Sequence, residues 1–332
     1  MIWLNVLLFV VGLVVLIKGG DWFVDGATGI ARRFHLPELL IGATVVSIGT
    51  TLPEVMVSAQ GAMAGSGGMA YGNAIGSIIC NTALIAAITI TLKPGKTERK
   101  ALVLPVTFFF VAAAFYVFVA YFFGRFDRWV GITLLCMFVA YISCTLIQMK
   151  HTPTEEIDGI APEEALEHKA KEEKPTPIIK DIILLVVGAA LIAWGANLLV
   201  DNGTAIAETV GVPDTVIALT FVALGTSLPE LVTAITALAK GHGALSLGNV
   251  IGANLFNLVL VSGIATTISP FGVPTETVIA GHPASLVMDI PVMLGVMVIL
   301  TVPALIRGKL SRIQGMALLC IYAVFCTLQF VL

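Results

Sequence analysis

Residues 45–88 read VVSIGTTLPEVMVSAQGAMAGSGGMAYGNAIGSIICNTALIAAI, and residues 221–264 read FVALGTSLPELVTAITALAKGHGALSLGNVIGANLFNLVLVSGI. A single offset of 176 aligns the two without a gap, and 15 of 44 positions are identical. The register carries backwards as well, pairing Asp25 with Asp201 and Pro37 with Pro213. Identities concentrate in Gly49-Thr50, Leu52-Pro53-Glu54, Gly72-Asn73, Ile75-Gly76 and Asn81. Packing alone would retain apolar residues in both copies. Here an acid, amides, a proline and glycines are retained.

The chain around these copies is 58% hydrophobic and 12% charged over 332 residues, with a mean hydropathy of +0.99. Soluble domains carry about 25% charged residues, so the balance points to a membrane protein. A bilayer core about 30 Å thick needs roughly 20 apolar residues per helix. Ten such segments can be read, at 2–20, 37–64, 70–92, 101–123 and 129–149, then 178–200, 213–239, 244–268, 284–306 and 312–331. Their length and the absence of period-2 alternation predict helices rather than barrel strands. The expected fold is therefore an all-α membrane protein of ten transmembrane helices.

Charge placement supports the count. Loops 1–2, 3–4, 5–6, 7–8 and 9–10 must share one side, and with the adjoining helix ends they hold 16 of the 18 basic residues. The other side holds only Arg125 and Arg128. The basic side is read as cytoplasmic, which puts both termini outside and makes this a multi-pass protein of the plasma membrane. Five helices per half is an odd number, so the second half must be inverted relative to the first. The division is residues 1–150 for the first half (motif 45–88), 151–177 for a cytoplasmic linker and 178–332 for the second half (motif 221–264). The linker has eight acidic residues and four prolines. It is read as a solvated connector in which 161–174 could form a short helix, and its carboxylates lack EF-hand spacing. Asp25 and Asp201 lie near helix ends and are read as interfacial, and Asp289 near the outer end of helix 9.

Inverted repeats in secondary transporters place the site near the midplane, at the repeat interface. Glu54 sits mid-helix in an apolar run, where an ionisable group costs about 2.5–3.5 kcal/mol on insertion scales. Pro53 removes a helical donor and frees carbonyls around residues 47–50. Thr50 and Thr51 add hydroxyls, and helix 7 repeats the arrangement with Gly225, Thr226, Ser227, Pro229 and Glu230. Helices 3 and 8 add Asn73, Ser77 and Asn81, four residues apart on one face, and Asn249, Asn254 and Asn257. Gly72, Gly76, Gly248 and Gly252 permit close helix approach. A lone amide in a membrane helix often bonds a neighbouring helix, so Asn73 and Asn249 are read equally as ligands or as interhelical bonds. The five cysteines, at 80, 136, 144, 320 and 326, are odd in number and lack Cys-x-x-Cys spacing. They are read as small apolar packing residues. Carboxylate, hydroxyl, amide and carbonyl oxygens with no thiolate or imidazole suit hard cations such as Ca²⁺ and Na⁺. There is no Walker A motif and no basic patch with interleaved aromatics. Neither a nucleotide nor a nucleic acid is expected as partner, and no enzymatic activity.

At these motifs the sequence resembles the cation/calcium antiporter superfamily, especially its bacterial sodium/calcium exchanger-like branch, over nearly its whole length. The resemblance implies ten helices, alternating access with helices 1 and 6 moving against the other eight, and three Na⁺ taken in for each Ca²⁺ expelled. It implies Glu54 and Glu230 as central ligands for both ions. It places Thr50, Thr51, Ser77, Asn81, Thr226, Ser227 and Asn257 around them, with Ser47 and Ala223 as carbonyl donors. The family's Gly-Ser-Asn is Gly76-Ser77-Ile78 in one copy and Gly252-Ala253-Asn254 in the other. Ala253 lacks a hydroxyl that would serve one Na⁺ site, so the three-Na⁺ stoichiometry does not carry over. Asn257, where potassium-dependent relatives have Asp, argues against K⁺ cotransport.

The expected function is secondary active Na⁺/Ca²⁺ antiport by a monomer with no resident cofactor, Ca²⁺ and Na⁺ being cargo. H⁺/Ca²⁺ exchange through the same glutamates is the alternative, and a non-transporting cation sensor is the third.

Overall fold

A computed structural model describes residues 2–151, 178–209, 225–275 and 277–331. The helices are α1 Ile2–Arg33, α4 Arg99–Phe123, α5 Arg128–His151, α6 Ile178–Thr209, α7 Leu228–Ala239 and α10 Arg312–Val331, with α2 Glu38–Met63, α3 Gly67–Leu92, α8 Gly243–Ile268 and α9 Ser285–Arg307. Among the described residues nine are long and apolar enough to cross a bilayer, and α7 is a shorter apolar helix. Residues 210–224, the first half of the helix predicted over 213–239, lie outside the described residues, as does the predicted short helix in the linker.

The largest departure from expectation is α1, which runs to Arg33 rather than ending near residue 20. At 1.5 Å per residue its 32 residues extend about 48 Å. Glycines along α1 are contact points with the equally long α6, which likewise runs past its expected end at residue 200 to Thr209. A Cβ on Gly12 would meet Leu198 and the Gly195 carbonyl, and one on Gly19 would meet the Ile192 amide and the Gly188 carbonyl. One on Gly26 would meet the Asp181 carbonyl and the Leu185 amide. The two backbones thus touch along almost their whole length, as small residues allow. Gly12 and Gly188 are partners in the repeat, as are Gly19 and Gly195. The pairing of 12 with 195 and 19 with 188 therefore has the form of a local two-fold axis. Arg33 adds an ion pair to Asp181 near one end, 3.7 Å away.

The other helices surround α3 and α8, whose spans are the most buried, at 72% and 89%. Their apolar packing, from Leu39 and Ile78 through Tyr116 and Phe256 to Met297 and Leu300, forms the main core. Loops join in two groups. At one end β1 (Arg125–Phe126) pairs antiparallel with β2 (Phe271–Gly272), and Phe271 covers Gly67. A second two-residue pair, β3 (Val278–Ile279) with β4 (His282–Pro283), lies in the same connection. At the other end Lys96 bridges to Lys309, and His242 Nδ1 meets Glu38 Oε1 at 2.8 Å. Loops 2–3, 4–5 and 8–9 thus touch one another, while loops 3–4 and 9–10 pair with each other and loop 7–8 with the start of α2. These are the groupings that strict up-and-down crossing requires.

Two corrections concern small residues. Gly248 and Gly252 do bring α8 against α2, since a Cβ there would strike the Leu39 carbonyl or Ala43 and the Ser47 hydroxyl. Their repeat partners Gly72 and Gly76 have nothing within 4 Å of a Cβ among the described residues. All five cysteines are free, but only Cys80 is buried, while Cys136, Cys144 and Cys320 are exposed on the apolar surface.

The α1–α6 contact gives a stability prediction. Gly188→Ala would press a methyl against the Phe23 amide and Cα. Thermal unfolding in detergent is expected to show a loss of about 1–3 kcal/mol. Gly295→Ala, in open space within α9 among the described residues, is expected to be neutral or slightly stabilising.

Candidate functional site

Helices α2, α3, α7 and α8 pack on one another through the two repeated motifs. Helix α2 has three parts. Glu38–Ile41 is α-helical, Gly42–Val46 is a π-helical turn, and Ser47–Met63 is α-helical through Pro53. A π-turn displaces carbonyls from the i→i+4 ladder, and side chains take them here. Tyr141 Oη donates to Ala43 O at 2.8 Å, and Ser47 Oγ donates to Gly42 O at 2.7 Å. Helix α7 differs from α2 in a way the sequence did not show. Thr226 and Ser227 form a turn, the helix begins at Leu228, and Pro229 sits in its first turn where no donor is lost. Glu230 is thus at a helix N-terminus, whose dipole favours a carboxylate, whereas Glu54 is inside a continuous helix.

Both glutamates have no exposed surface. Among the described residues no geometric hydrogen bond or ion pair reaches any of their four carboxylate oxygens. The two carboxylates are close enough to interact electrostatically, and Thr50 neighbours Glu230. Thr51 Oγ1, Ser227 Oγ and both side-chain polar atoms of Asn81 and Asn257 are likewise buried without partners. These unpartnered groups fall into three repeat pairs, 51 with 227, 54 with 230 and 81 with 257. Each unmade bond at a buried polar group costs about 1–3 kcal/mol, and more for a charged one. The set is rich in oxygen, with only the amide nitrogens of the asparagines besides, and oxygen atoms of this kind are the ligands hard cations take. Asn81 and Asn257 each open a π-helical turn, at Asn81–Ala86 and Asn257–Val261. The helix backbone is therefore loosened at the same place in both halves.

A second set of residues clamps these helices together. Thr50 Oγ1 donates to Asn249 Oδ1 at 3.1 Å, and Thr226 Oγ1 donates to Asn73 Oδ1 at 3.4 Å. These are the same bond under the 176-residue offset, made once from each half to the other. Asn73 Nδ2 also donates to the Glu54 carbonyl at 3.1 Å and to Ser58 Oγ at 2.8 Å. Ser47 Oγ shares its single proton between Gly42 O and the Asn249 carbonyl, the latter 2.9 Å away. Asn73 and Asn249 thus make interhelical bonds. The hydroxyl protons of Thr50, Thr226 and Ser47 are engaged, which leaves their oxygens to accept.

Ser77 is buried, and its partner Ala253 is fully buried and offers no hydroxyl. Ala223 lies outside the described residues. Asn254, which replaces the apolar Ile78 of the first copy, bonds Thr82 Oγ1 at 2.7 Å and Met297 Sδ at 3.2 Å, joining α8 to α3 and α9. One neighbour was misread. Cys80, taken for an apolar packing residue, places its thiol beside Ser227 and Tyr322 and within electrostatic reach of Glu230. Its repeat partner is Phe256, so the repeat carried no signal for it.

The family described as sodium/calcium exchanger protein matches residues 4–147 and 180–331. The chain belongs to that family. Among relatives of this exchanger-family chain, the putative antiporter CaxA of Alkalimonas amylolytica is 37% identical over 92% of this chain and 91% of its own. The sodium/calcium exchanger MaX1 of Methanosarcina acetivorans is 31% identical over 99% of both. Among solved structures, the sodium-calcium exchanger NCX_Mj superposes with a TM-score of 0.78 at 30% identity, covering 98% of each chain.

Asn249→Ala would leave Thr50 Oγ1 without its acceptor, while Ser47 keeps its bond to the backbone carbonyl of residue 249. A loss of about 1–3 kcal/mol in the metal-free protein is expected in detergent melts, with a matching but smaller loss for the half-exposed Asn73→Ala.

Proposed function

We propose that this exchanger-family chain carries out secondary active Na⁺/Ca²⁺ antiport by alternating access. Glu54 and Glu230 are its shared charge-bearing ligands. One observation carries the reading: two fully buried, mutually interacting carboxylates have no counter-charge among the described residues, and the unpartnered hydroxyls and amides around them recur in both halves. Two ionised glutamates balance one Ca²⁺. The same oxygens accept Na⁺ when Ca²⁺ is absent, and mutual exclusion at one site couples the two fluxes without a nucleotide. Thr51, Ser227, Asn81 and Asn257 supply further oxygens. Thr50, Ser77 and Thr226 add hydroxyl oxygens, and Ser47 and Ala223 add carbonyls. The names of MaX1 and NCX_Mj favour Na⁺ over H⁺ as the coupling ion.

The finer architecture belongs to the same proposal. α7 and the residues preceding it make the tenth span, and the two five-helix halves are inverted copies. The basic loops face the cytoplasm, both termini face outward, the membrane is the plasma membrane and the working unit is a monomer. Supporting this are the glycine pairing of α1 with α6, the two Thr–Asn bonds and the loop groupings. All follow the 176-residue offset or the up-and-down crossing.

In proteoliposomes, Glu54→Gln and Glu230→Gln are each expected to abolish Na⁺-driven ⁴⁵Ca²⁺ uptake. Ca²⁺ is expected to raise the melting temperature of the wild type but not of the double variant. Full flux in either single variant would overturn the site assignment. Uptake driven by a pH gradient and not by Na⁺ would replace Na⁺ with H⁺ as the coupling ion.

A further inference from the structure

The C-terminal ends of α2 and α7 are repeat equivalents in backbone detail. Gly65 and Gly241 both adopt left-handed φ, at +78° and +88°. Gly65 N donates to Ala62 O and Ser66 N to Gly61 O, and the bonds from Gly241 N to Leu238 O and His242 N to Ala237 O repeat the pattern. The residues capping the two helices, Ala64 and Lys240, therefore occupy equivalent places. Their chemistry does not match. Lys240 Nζ reaches across to α1, donating to Asp25 Oδ1 at 2.8 Å and the Asp21 carbonyl at 2.9 Å, with Asp21 Oδ1 at 3.5 Å. In the other half the corresponding positions are Ala64, Asp201 and Asn197, and Ala64 cannot make an ion pair.

The ion pair lies on the face where the helices are pressed together. Beside it a Cβ on Gly20 would meet Val232 and Thr236 of α7. On the same face Gly248 and Gly252 of α8 lie against Leu39, Ala43 and Ser47 of α2. The equivalent contact between α6 and α2 is slighter among the described residues. Helices α1 and α6 touch each other far more than they touch the rest, so they form a unit that can shift as one body against α7. Any such shift must part Lys240 from Asp25.

We propose that Lys240, with Asp25 and Asp21, is a one-sided latch. It holds the basic-loop face shut, and so sets the ratio of the two access states and the sidedness of Ca²⁺ affinity. The effect on sidedness rests on the exchanger reading, whereas the latch itself does not. The groups are partly exposed, at 28% for Lys240 and 53% for Asp25, so the pair is of modest strength. A change in state ratio on the order of 3- to 10-fold is expected from its loss.

The test uses the purified full-length protein, with Lys240→Gln and Asp25→Asn to open the latch and Ala64→Lys to install its mirror beside Asp201. Hydrogen–deuterium exchange is expected to show lost protection at 38–46 and 243–252 in the first two variants but not in the third. In proteoliposomes the ratio of apparent Ca²⁺ KM at the two faces is expected to move roughly 3- to 10-fold one way in Lys240→Gln and Asp25→Asn. In Ala64→Lys it is expected to move the opposite way, and Ala64→Lys with Asp201→Asn is expected to cancel that shift. Unchanged protection in Lys240→Gln and Asp25→Asn would overturn the latch even with normal flux. Absence of Na⁺-dependent Ca²⁺ flux in the wild type would instead overturn the exchanger reading, and protection would still decide the latch.

Discussion

Two carboxylates held in a dry interior with no protein counter-charge are the constraint around which this molecule is arranged. Neither Glu54 nor Glu230 has any exposed surface, and neither meets an ion-pair partner among the described residues. Their mutual repulsion grows as water is removed. Such a pair is tolerable only while a bound cation or a proton neutralises it, and its position between two halves lets a small relative movement change which side reaches it. The helices that carry the glutamates are accordingly over-secured elsewhere. The Thr50–Asn249 and Thr226–Asn73 bonds, the bond from Asn73 to the Glu54 carbonyl and the close contact of Gly248 and Gly252 fix the frame.

The backbone is adapted to the same need. Straight α-helices offer no free carbonyls at mid-membrane. The π-turns opened by Asn81 and Asn257, and the turn at Thr226–Ser227, break the ladder where oxygen atoms are wanted. Freed carbonyls elsewhere are taken up, as Tyr141 and Ser47 take those of Ala43 and Gly42. Irregular backbone at this depth is sustained only where protein groups or a bound ion satisfy it.

Much of this was legible in the sequence because the two halves report on each other. A buried acid in one helix is ambiguous, but Glu54 and Glu230 in register within Gly-Thr-Thr/Ser-Leu-Pro-Glu are not. Span positions followed from apolar run length, and nearly all ends fell within a few residues. The failures have physical causes. Helix α1 exceeds its expected span because a bilayer crossing needs only about 20 apolar residues, a measure that does not stop a helix whose glycines pack on a neighbouring backbone. The differing roles of Pro53 and Pro229 were hidden because proline fits both inside a strained helix and at a helix start. Cys80 was missed because a thiol next to Asn81 has no repeat partner to mark it. Asn73 and Asn249 could be assigned only when their acceptors and donors were seen across the interface. Ala253, where the first copy has Ser77, is a fully buried methyl.

The two-fold pairing of Gly12 with Gly195 and Gly19 with Gly188 has a consequence for energy levels. If the halves were identical, exchanging their conformations would turn one access state into the other by a rotation in the membrane plane. The two states would then be degenerate, equally populated in the absence of gradients. Any resting preference must come from positions where the halves have diverged, and around the site and its clamps these include Lys240 against Ala64, Ala253 against Ser77, Asn254 against Ile78 and Cys80 against Phe256. On the proposed reading, chemistry would reside in the residues the two halves share, and directionality in those they do not.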